Sequence, residues 1–366
     1  MKIIRSTKCS LKFATKKKQN ELVYVLKEYG RVVNIFIHGF WRLNTVPSKV
    51  ELLKEIVDKP YNTWLSARLR KVAAREAIDM IKAAKERYGK KATMPLHKGL
   101  RMNISSTIGE LQDIKNSKVF DAWLHLSSIG NKTNIYLPIK YHKQYLKWKE
   151  KVLSNRLNSY IITKDYVQFC FEIETGKKKT EGREFGIDTG INKLATLSDG
   201  SKLGIETKYY IDRINKCKYG SKNQKQKRKA FKQYVDEIAK EIISLNPKLI
   251  VVEALKNINY KIKFKRRLNK NIRRSLGSWV YRYWLTRLQL NCEENRVSFR
   301  TVQPYYTSQR CSKCSHTESK NRLEVELFKC QKCGYTDDAD VNAAINILNL
   351  FLQGKYGSLY KANCMS

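Results

Sequence analysis

The sequence predicts an α/β chain in two parts: an antiparallel β unit carrying a helical insertion, then a mixed-sheet unit with a four-cysteine ribbon lodged before its last helix. Three observations predict this. Residues 1–14 alternate loosely between apolar and polar, and that period of two returns, after a long helical stretch, between about Met94 and Thr175. Two apolar runs end in acids, Phe185-Gly-Ile-Asp188 and Leu249-Ile-Val-Val-Glu253. Two Cys-x-x-Cys pairs, Cys311/Cys314 and Cys330/Cys333, stand fifteen residues apart just ahead of a helical stripe that opens at Asp340.

Taken in order, residues 1–14 read as a first strand, and Lys16-Lys17-Lys18 starts a different regime. From about Gln19 to Arg87 the period is helical: Leu22, Val25, Leu26 and Tyr29 recur at three and four, and Leu65 to Tyr88 carries a stripe broken by Lys and Arg, one basic face. Strands follow at Asn134–Ile139, Tyr160–Thr163 and Tyr166–Ile173. With the first strand among them, the helices become an insertion into a β-barrel. The charged run Gly176-Lys-Lys-Lys-Thr-Glu-Gly182-Arg183 reads as a linker. Beyond it a strand ends at Asp188, turns on Gly190 and returns through Leu194-Ala-Thr-Leu197 to Ser-Asp-Gly200. Phe231, Tyr234, Val235, Ile238, Ile242 and Leu245 stripe a helix. Leu249–Val252 is short and wholly apolar, as in a strand buried on both faces. Val341, Ala344, Ile345, Leu348 and Leu352 stripe the last helix.

The two cysteine knuckles give four thiolates in tetrahedral reach, which is a zinc site. Four thiolates leave no open position for water, so the ion is structural. Two disulfides are the alternative, but Cys9, Cys170, Cys217, Cys292 and Cys364 are scattered, the total of nine is odd, and the N-terminal residues do not read as a signal peptide. The thiols are expected reduced and intracellular. His316 lies beside the first knuckle and reads as a surface residue.

Charge sets the partner. Seventy-three Lys and Arg against thirty-three Asp and Glu leave a net +40, which calls for a polyanion. No apolar run approaches the roughly 18 residues of a membrane span, so nucleic acid is favoured over a membrane. The densest basic stretches are Lys216–Lys232, with Lys222, Lys225, Lys227 and Arg228, and Lys261–Arg274, with Lys263, Lys265, Arg266, Arg267, Arg273 and Arg274. Such residues, with Trp279, Tyr281, Tyr283 and Trp284 close behind, suit single-strand binding; the three-to-four spacing of Trp279, Tyr283 and Trp284 favours a packed core for those three.

Strand to Asp188, hairpin return, helix, buried strand to Glu253 and late helix opening at Asp340 is the order that gathers three carboxylates at one sheet edge. Converging acids repel unless cations join them, and hard oxygen ligands select magnesium or manganese. Two such ions about 4 Å apart would activate water against a phosphodiester. Each acid has a plainer reading too: Asp188 as a turn residue before Gly190, Glu253 in an ion pair with Lys256, Asp340 as a helix N-cap. Asp338 competes with Asp340, but Asp340 opens the periodic helix, with Asn342, Ala343 and Ala344 allowing close approach.

FGIDTGINKLATLSDG, LIVVEALKN, TSQRCSKC, CQKCG and DADVNAAINIL resemble the three RuvC motifs and zinc ribbon of TnpB, the transposon-encoded RNA-guided nucleases related to type V CRISPR effectors. The likeness covers residues 183–353; toward the amino terminus it rests on layout. One departure is Ala254, where a second acid often follows the Glu. The resemblance implies an RNase H-like RuvC nuclease domain with an inserted zinc ribbon, preceded by a β-barrel wedge domain carrying a helical recognition insertion. On this layout residues 1–18 and 93–181 are wedge, 19–92 recognition, 182–306 and 337–366 RuvC, and 307–336 the target-nucleic-acid-binding ribbon. It implies Asp188, Glu253 and Asp340 as catalytic magnesium ligands for two ions, and Cys311, Cys314, Cys330 and Cys333 on one zinc. Expected partners are a guide RNA from the transposon end, double-stranded target DNA and its displaced strand, around a monomeric protein in the prokaryotic cytoplasm. The activity implied is cleavage of guide-matched DNA beside a short flanking motif. Alternatives are an RNA-guided repressor without cleavage, a compact CRISPR effector, or a cut-and-paste transposase; the ribbon just before the third acid speaks against the last.

Overall fold

The computed structural model describes residues 2–354 apart from 44, 46, 47, 49–61, 115, 116, 132, 152–155, 255–269, 305, 323 and 325. The chain divides into two units, Met1–Glu174 and Thr175–Ser366, the division falling where the predicted linker begins.

In the first unit β1 (Lys2–Ser10) alternates strictly between exposed and buried positions, so one face enters the core. Helices α1 (Lys16–Trp41) and α2 (Ala67–Tyr88) follow, each capped by a hydroxyl: Thr15 accepts from the Lys18 N–H and Ser66 from the Leu69 N–H. Leu22, Val25, Leu26, Tyr29, Val33, Phe36, Ile37 and Phe40 of α1 are all buried, as their spacing predicts. Strands β2 (Arg101–Ser105), β3 (Gly109–Asp113), β4 (Ala122–Leu126) and β5 (Ile135–Ile139) lead to α3 (Lys143–Lys151), then β6 (Arg156–Thr163) and β7 (Tyr166–Glu174). The periodicity misses α3, a single lysine-rich stretch of nine residues that buries only Tyr145 and Trp148. β1 pairs antiparallel with β7 from Lys2↔Glu174 to Ser10↔Tyr166, so both helices are insertions between strands of one sheet. The described strands form a sheet β1-β7-β6-β2 and a second sheet β3-β4-β5.

In the second unit the sheet order is β10-β9-β8-β11-β12, built from β8 (Arg183–Asp188), β9 (Ala195–Leu197), β10 (Lys202–Leu203), β11 (Pro247–Glu253) and β12 (Ser298–Val302). β11 is parallel to both β8 and β12, while β9 and β10 continue antiparallel from β8. Between β10 and β11 lie α4 (Thr207–Asn215) and α5 (Lys222–Ser244); between β11 and β12 lie α6 (Lys270–Ser278) and α7 (Tyr281–Glu294). Phe231, Val235, Ile238, Ala239 and Ile242 of α5 share a core with Trp284, Leu288 and Cys292 of α7 and with Phe185, Ile187, Ile250 and Val252 of the sheet. Trp279 and Trp284 are buried there and Tyr283 half-buried, so the aromatic stripe packs rather than lining a strand channel. Full burial of one such side chain is worth about 1.5–3 kcal/mol. The ribbon hairpin β13 (Leu327–Lys329) and β14 (Thr336–Asp338) precedes the last helix, α8 (Ala339–Leu352). Among the described residues no helix is long and apolar enough to cross a membrane.

Candidate active site and metal centre

Parallel pairing sets two of the acids side by side. Val252 is registered with Ile187, so Asp188 and Glu253 are the next residues out, at the carboxyl ends of β8 and β11. Asp340 arrives from the helix. A Cβ at Gly186 would sit 2.1 Å from the Ala344 carbonyl and 2.8 Å from the Leu348 N–H, so α8 lies directly on the β8 backbone where no side chain intervenes. Asp188 is two residues on, on the same face, and Asp340 one helical turn back from Ala344. The small residues beside Asp340 thus permit the close approach read from the sequence.

The electrostatics of Asp188 record the meeting. Its side chain keeps a partly exposed edge, yet dense surroundings push its carboxyl from 3.8 to about 7, burial contributing most, then the charges of Glu253 and Asp340. The Arg322 guanidinium and the Thr189 N–H pull the other way. Glu253 is likewise raised by burial and held back by the Thr307 hydroxyl, which donates to its Oε1. The Tyr281 hydroxyl, donating to the Glu253 carbonyl at 2.6 Å, pins the end of the strand. Asp340 is engaged by Arg322 at 3.2 Å and by Lys193 at 3.8 Å.

One plainer reading is corrected and another lies outside the described residues. The N-cap of α8 is Asp338, not Asp340: its Oδ1 accepts from the Asp340 N–H at 3.0 Å and the Val341 N–H at 3.2 Å. Asp338 is further held by Lys202 at 2.6 Å, and although burial opposes it, Lys202 and the two amides keep its carboxyl below the usual aspartate range. Asp340, relieved of capping, sits in the first turn, where the helix dipole favours an acid. Lys256, the suggested partner of Glu253, lies outside the described residues.

Among the described residues the only group of three or more Cys, His, Asp or Glu with ligand atoms all within 4.8 Å is Cys311, Cys314, Cys330 and Cys333. Cys311 Sγ lies 3.7 Å from Cys333 Sγ, and Cys314 Sγ 3.6 Å from Cys330 Sγ. A tetrahedron with Zn–S bonds of about 2.3 Å has edges of about 3.8 Å, so these two edges match a zinc site, and all four sulfurs lie within 4.8 Å of one another. The knuckles are alike: Ser315 and Gly334, each four residues past its first cysteine, take φ of 63° and 71° and donate to the carbonyls of Cys311 and Cys330. His316 instead contacts Glu318 at 3.1 Å and stands outside the quartet. The three carboxylates are less tightly drawn, but a desolvated Asp188 facing two further acids is the donor set a hard divalent cation satisfies.

The ribbon is tied to the acids by residues that the sequence did not single out for it. Asn342 donates to the Arg310 carbonyl at 2.8 Å and accepts from the Ser312 N–H at 2.9 Å. Asn346, one turn on, donates to the carbonyls of Thr307 at 3.0 Å and Arg310 at 2.6 Å. Thr307, held there, presents its hydroxyl to Glu253. Two buried asparagines four residues apart on a mostly apolar helix are the one signal that could have revealed this.

Of the basic residues, Lys222 and Lys225 are exposed and Lys227 and Arg228 half-exposed at the start of α5, and Arg274 is exposed on α6. Lys263, Lys265, Arg266 and Arg267 lie outside the described residues, and Arg273 is placed in α6 by its backbone alone.

Comparison with known proteins gives a consistent neighbourhood. The family described as Cas12f1-like, TNB domain, matches residues 281–347. InsQ of Escherichia coli (strain K12), named as a proposed RNA-guided DNA endonuclease, is 27% identical over 324 residues, 78% of this chain and 75% of that one. The TnpB-like protein aq_aa05 of Aquifex aeolicus (strain VF5) is 31% identical over 120 residues, 32% of this chain and 38% of that one. Among solved structures, a Cas12f1–sgRNA–target DNA complex aligns with TM-score 0.57 at 14% identity, covering 92% of this chain and 83% of that one, a likeness of fold.

Proposed function

We infer that this chain, a TnpB-type protein related to the compact type V effectors, is an RNA-guided DNA endonuclease. What carries the chemistry is the convergence of Asp188, Glu253 and Asp340, with Asp188 pushed up to about 7 by burial and by its two acidic neighbours. We take these as a RuvC-type catalytic triad, and the sheet β10-β9-β8-β11-β12 with α8 against β8 as its RNase H-like frame; the three parallel strands with two antiparallel ones beyond them support that reading. The first unit is read as the β-barrel wedge (1–18 and 93–181) with the recognition helices (19–92) inserted, and 307–336 as the target-nucleic-acid-binding ribbon on one structural zinc.

Two magnesium or manganese ions held by the three carboxylates would lower the pKa of an attacking water and stabilise the leaving oxygen of the phosphodiester. The chain's own residues prepare the site. Thr307 fixes one Glu253 oxygen by donating to it and leaves the other free to ligate. Asp338 takes over the capping of α8, so that the Asp340 carboxylate is not spent on its own helix. Arg322 and Lys193 set cations beside the acids, where an incoming phosphate needs them. Exposed lysines at the start of α5 extend a basic surface for the guide RNA and the DNA strands.

Cleavage of plasmids carrying a guide-matched target beside randomised flanking bases tests the reading, using protein co-expressed with the RNA from downstream of its gene. Cuts confined to one flanking motif and abolished by Asp188→Ala are expected; matched DNA left intact in magnesium refutes the reading. The Cas12f1-like ribbon match favours one second reading, a compact CRISPR effector, which a repeat array beside the gene would establish.

A further inference from the structure

The outward face of the β3-β4-β5 sheet carries rings that its own packing does not require. Leu124 and Leu126 of β4 and Ile135 and Leu137 of β5 already fill the core beneath it. On the opposite side Trp123, His125 and Tyr136 project, with Tyr136 41% exposed. His125 and Tyr136, paired across the strands, stack at 4.2 Å with an interplanar angle of 3°. Trp123 meets Tyr136 edge-on at 6.3 Å. Lys18, from the lysine run that opens α1, places its ammonium 4.3 Å over the Trp123 ring, and Lys16 and Lys17 beside it are exposed. Glu110 and Gln112 on β3 are registered with His125 and Trp123, adding hydrogen-bonding groups to the same face.

The platform continues into a cleft. His125 Nε2 lies 3.2 Å from Asn134 Oδ1, and Asn134, Thr133, Ser66 and the exposed Arg68 help line a cleft of about 550 Å³. Gly130, also in that lining, packs on the Trp64 carbonyl, and the Trp64 ring stacks with Tyr24 at 5.2 Å, Tyr24 being 63% exposed. Two exposed ring stacks therefore flank a polar cleft with lysines at one end and an arginine in its lining. Stacking surfaces with interleaved cations match unpaired nucleobases and the phosphates that join them.

We propose that this face seats an unpaired segment of the guide RNA, its bases stacked on Trp123, Tyr136 and Tyr24 and its phosphates met by Lys16, Lys17 and Arg68. The assignment rests on the RNA-guided reading. Groups that read base edges, as Gln112, Glu110 and Asn134 are placed to do, serve only a fixed sequence. Target DNA changes with every guide, whereas the guide's constant region does not.

The test uses the full chain in an Asp188→Asn background, so that loss of cleavage cannot enter the result. Binding of single-stranded pieces, about 12 nucleotides long, of the RNA from downstream of the gene, of the same sequences as single-stranded DNA and of their RNA duplexes is measured in about 0.5 M salt, where phosphate contacts are screened and stacking is not. Trp123→Leu with Tyr136→Leu weakens single-stranded RNA binding by about 10- to 100-fold, while the two Phe substitutions retain it. Unchanged affinity, an equal loss on duplex RNA, or a loss confined to DNA overturns the proposal. Photocrosslinking of 4-thiouridine RNA to the chain with Trp123 and Tyr136 intact covers the case of a misfolded variant: adducts are expected on peptides holding those residues, and adducts only elsewhere refute it. If RNA guidance itself is wrong, this protein fails to retain its downstream RNA at all; if only the platform is wrong, RNA is retained and the leucine variant binds it equally.

Discussion

Asp188 makes the metal-free protein lose stability as the pH rises, and the size of the effect follows from its surroundings. An unfolded aspartate ionises near 3.8, whereas in the folded chain burial, Glu253 and Asp340 hold the proton until about 7. Between those values the folded state binds the extra proton, so this group's contribution falls throughout the interval and is lowest above about pH 7. At about 1.4 kcal/mol per pH unit the interval is worth ~4 kcal/mol, a ceiling reached if Asp188 titrates alone. Glu253, also raised, acts in the same direction, while Asp338, Asp199 and Glu28, all lowered, gain stability as the pH rises from acid. The whole-protein curve mixes these, so the informative quantity is a difference. Asp188→Asn carries no titrating group: without divalent cations it should approach the wild type near pH 4 and exceed it by up to ~4 kcal/mol near pH 8.5. Urea unfolding across that range, in chelator and in magnesium, measures it. Magnesium should restore the wild type at high pH and leave the Asn variant almost unmoved. A gap that does not widen with pH in chelator, or widens equally with magnesium present, refutes the reasoning.

Thr307→Val removes the only donor to the Glu253 carboxylate among the described residues and should lower cleavage about 10- to 100-fold, with Thr307→Ser restoring most of it, because a hydrogen bond to a charged group is worth about 1.5–3 kcal/mol; single-turnover rates check this. One zinc per chain is expected by elemental analysis, and Cys330→Ser should release it, lower the melting temperature and, through Arg310 and Thr307, depress cleavage. Gly186→Ala forces α8 off β8, since its Cβ would meet the Ala344 carbonyl at 2.1 Å; about 1–3 kcal/mol of stability and a larger share of activity should go, read by denaturation and cleavage together.

How far the site was legible depended on whether its information is local. The loose alternation of residues 1–14, the apolar run into Glu253 and the paired knuckles are local patterns, and each became the expected element. The order of the three acids along the chain foretold their meeting because parallel neighbours put strand ends on one edge, as the Ile187–Val252 register shows. Capping was misread because Asp338 and Asp340 both fit the pattern of a helix start, and only backbone angles decide which accepts the free amides. Thr307 and Arg322 escaped notice because their meaning is wholly non-local: one is 54 residues from Glu253 and the other 18 from Asp340, and no periodicity marks either. Yet they explain why a ribbon so far from chemistry in its own ligands stands where it does. Thr307, ahead of its first knuckle, donates to Glu253, Arg322, between the knuckles, contacts Asp340, and Asn342 and Asn346 fasten it to α8, the helix that carries Asp340 onto β8. A zinc on the four cysteines would therefore do more than close a small fold: by rigidifying the segment between Thr307 and Arg322, it would fix the distance between the strand that carries Glu253 and the helix that carries Asp340.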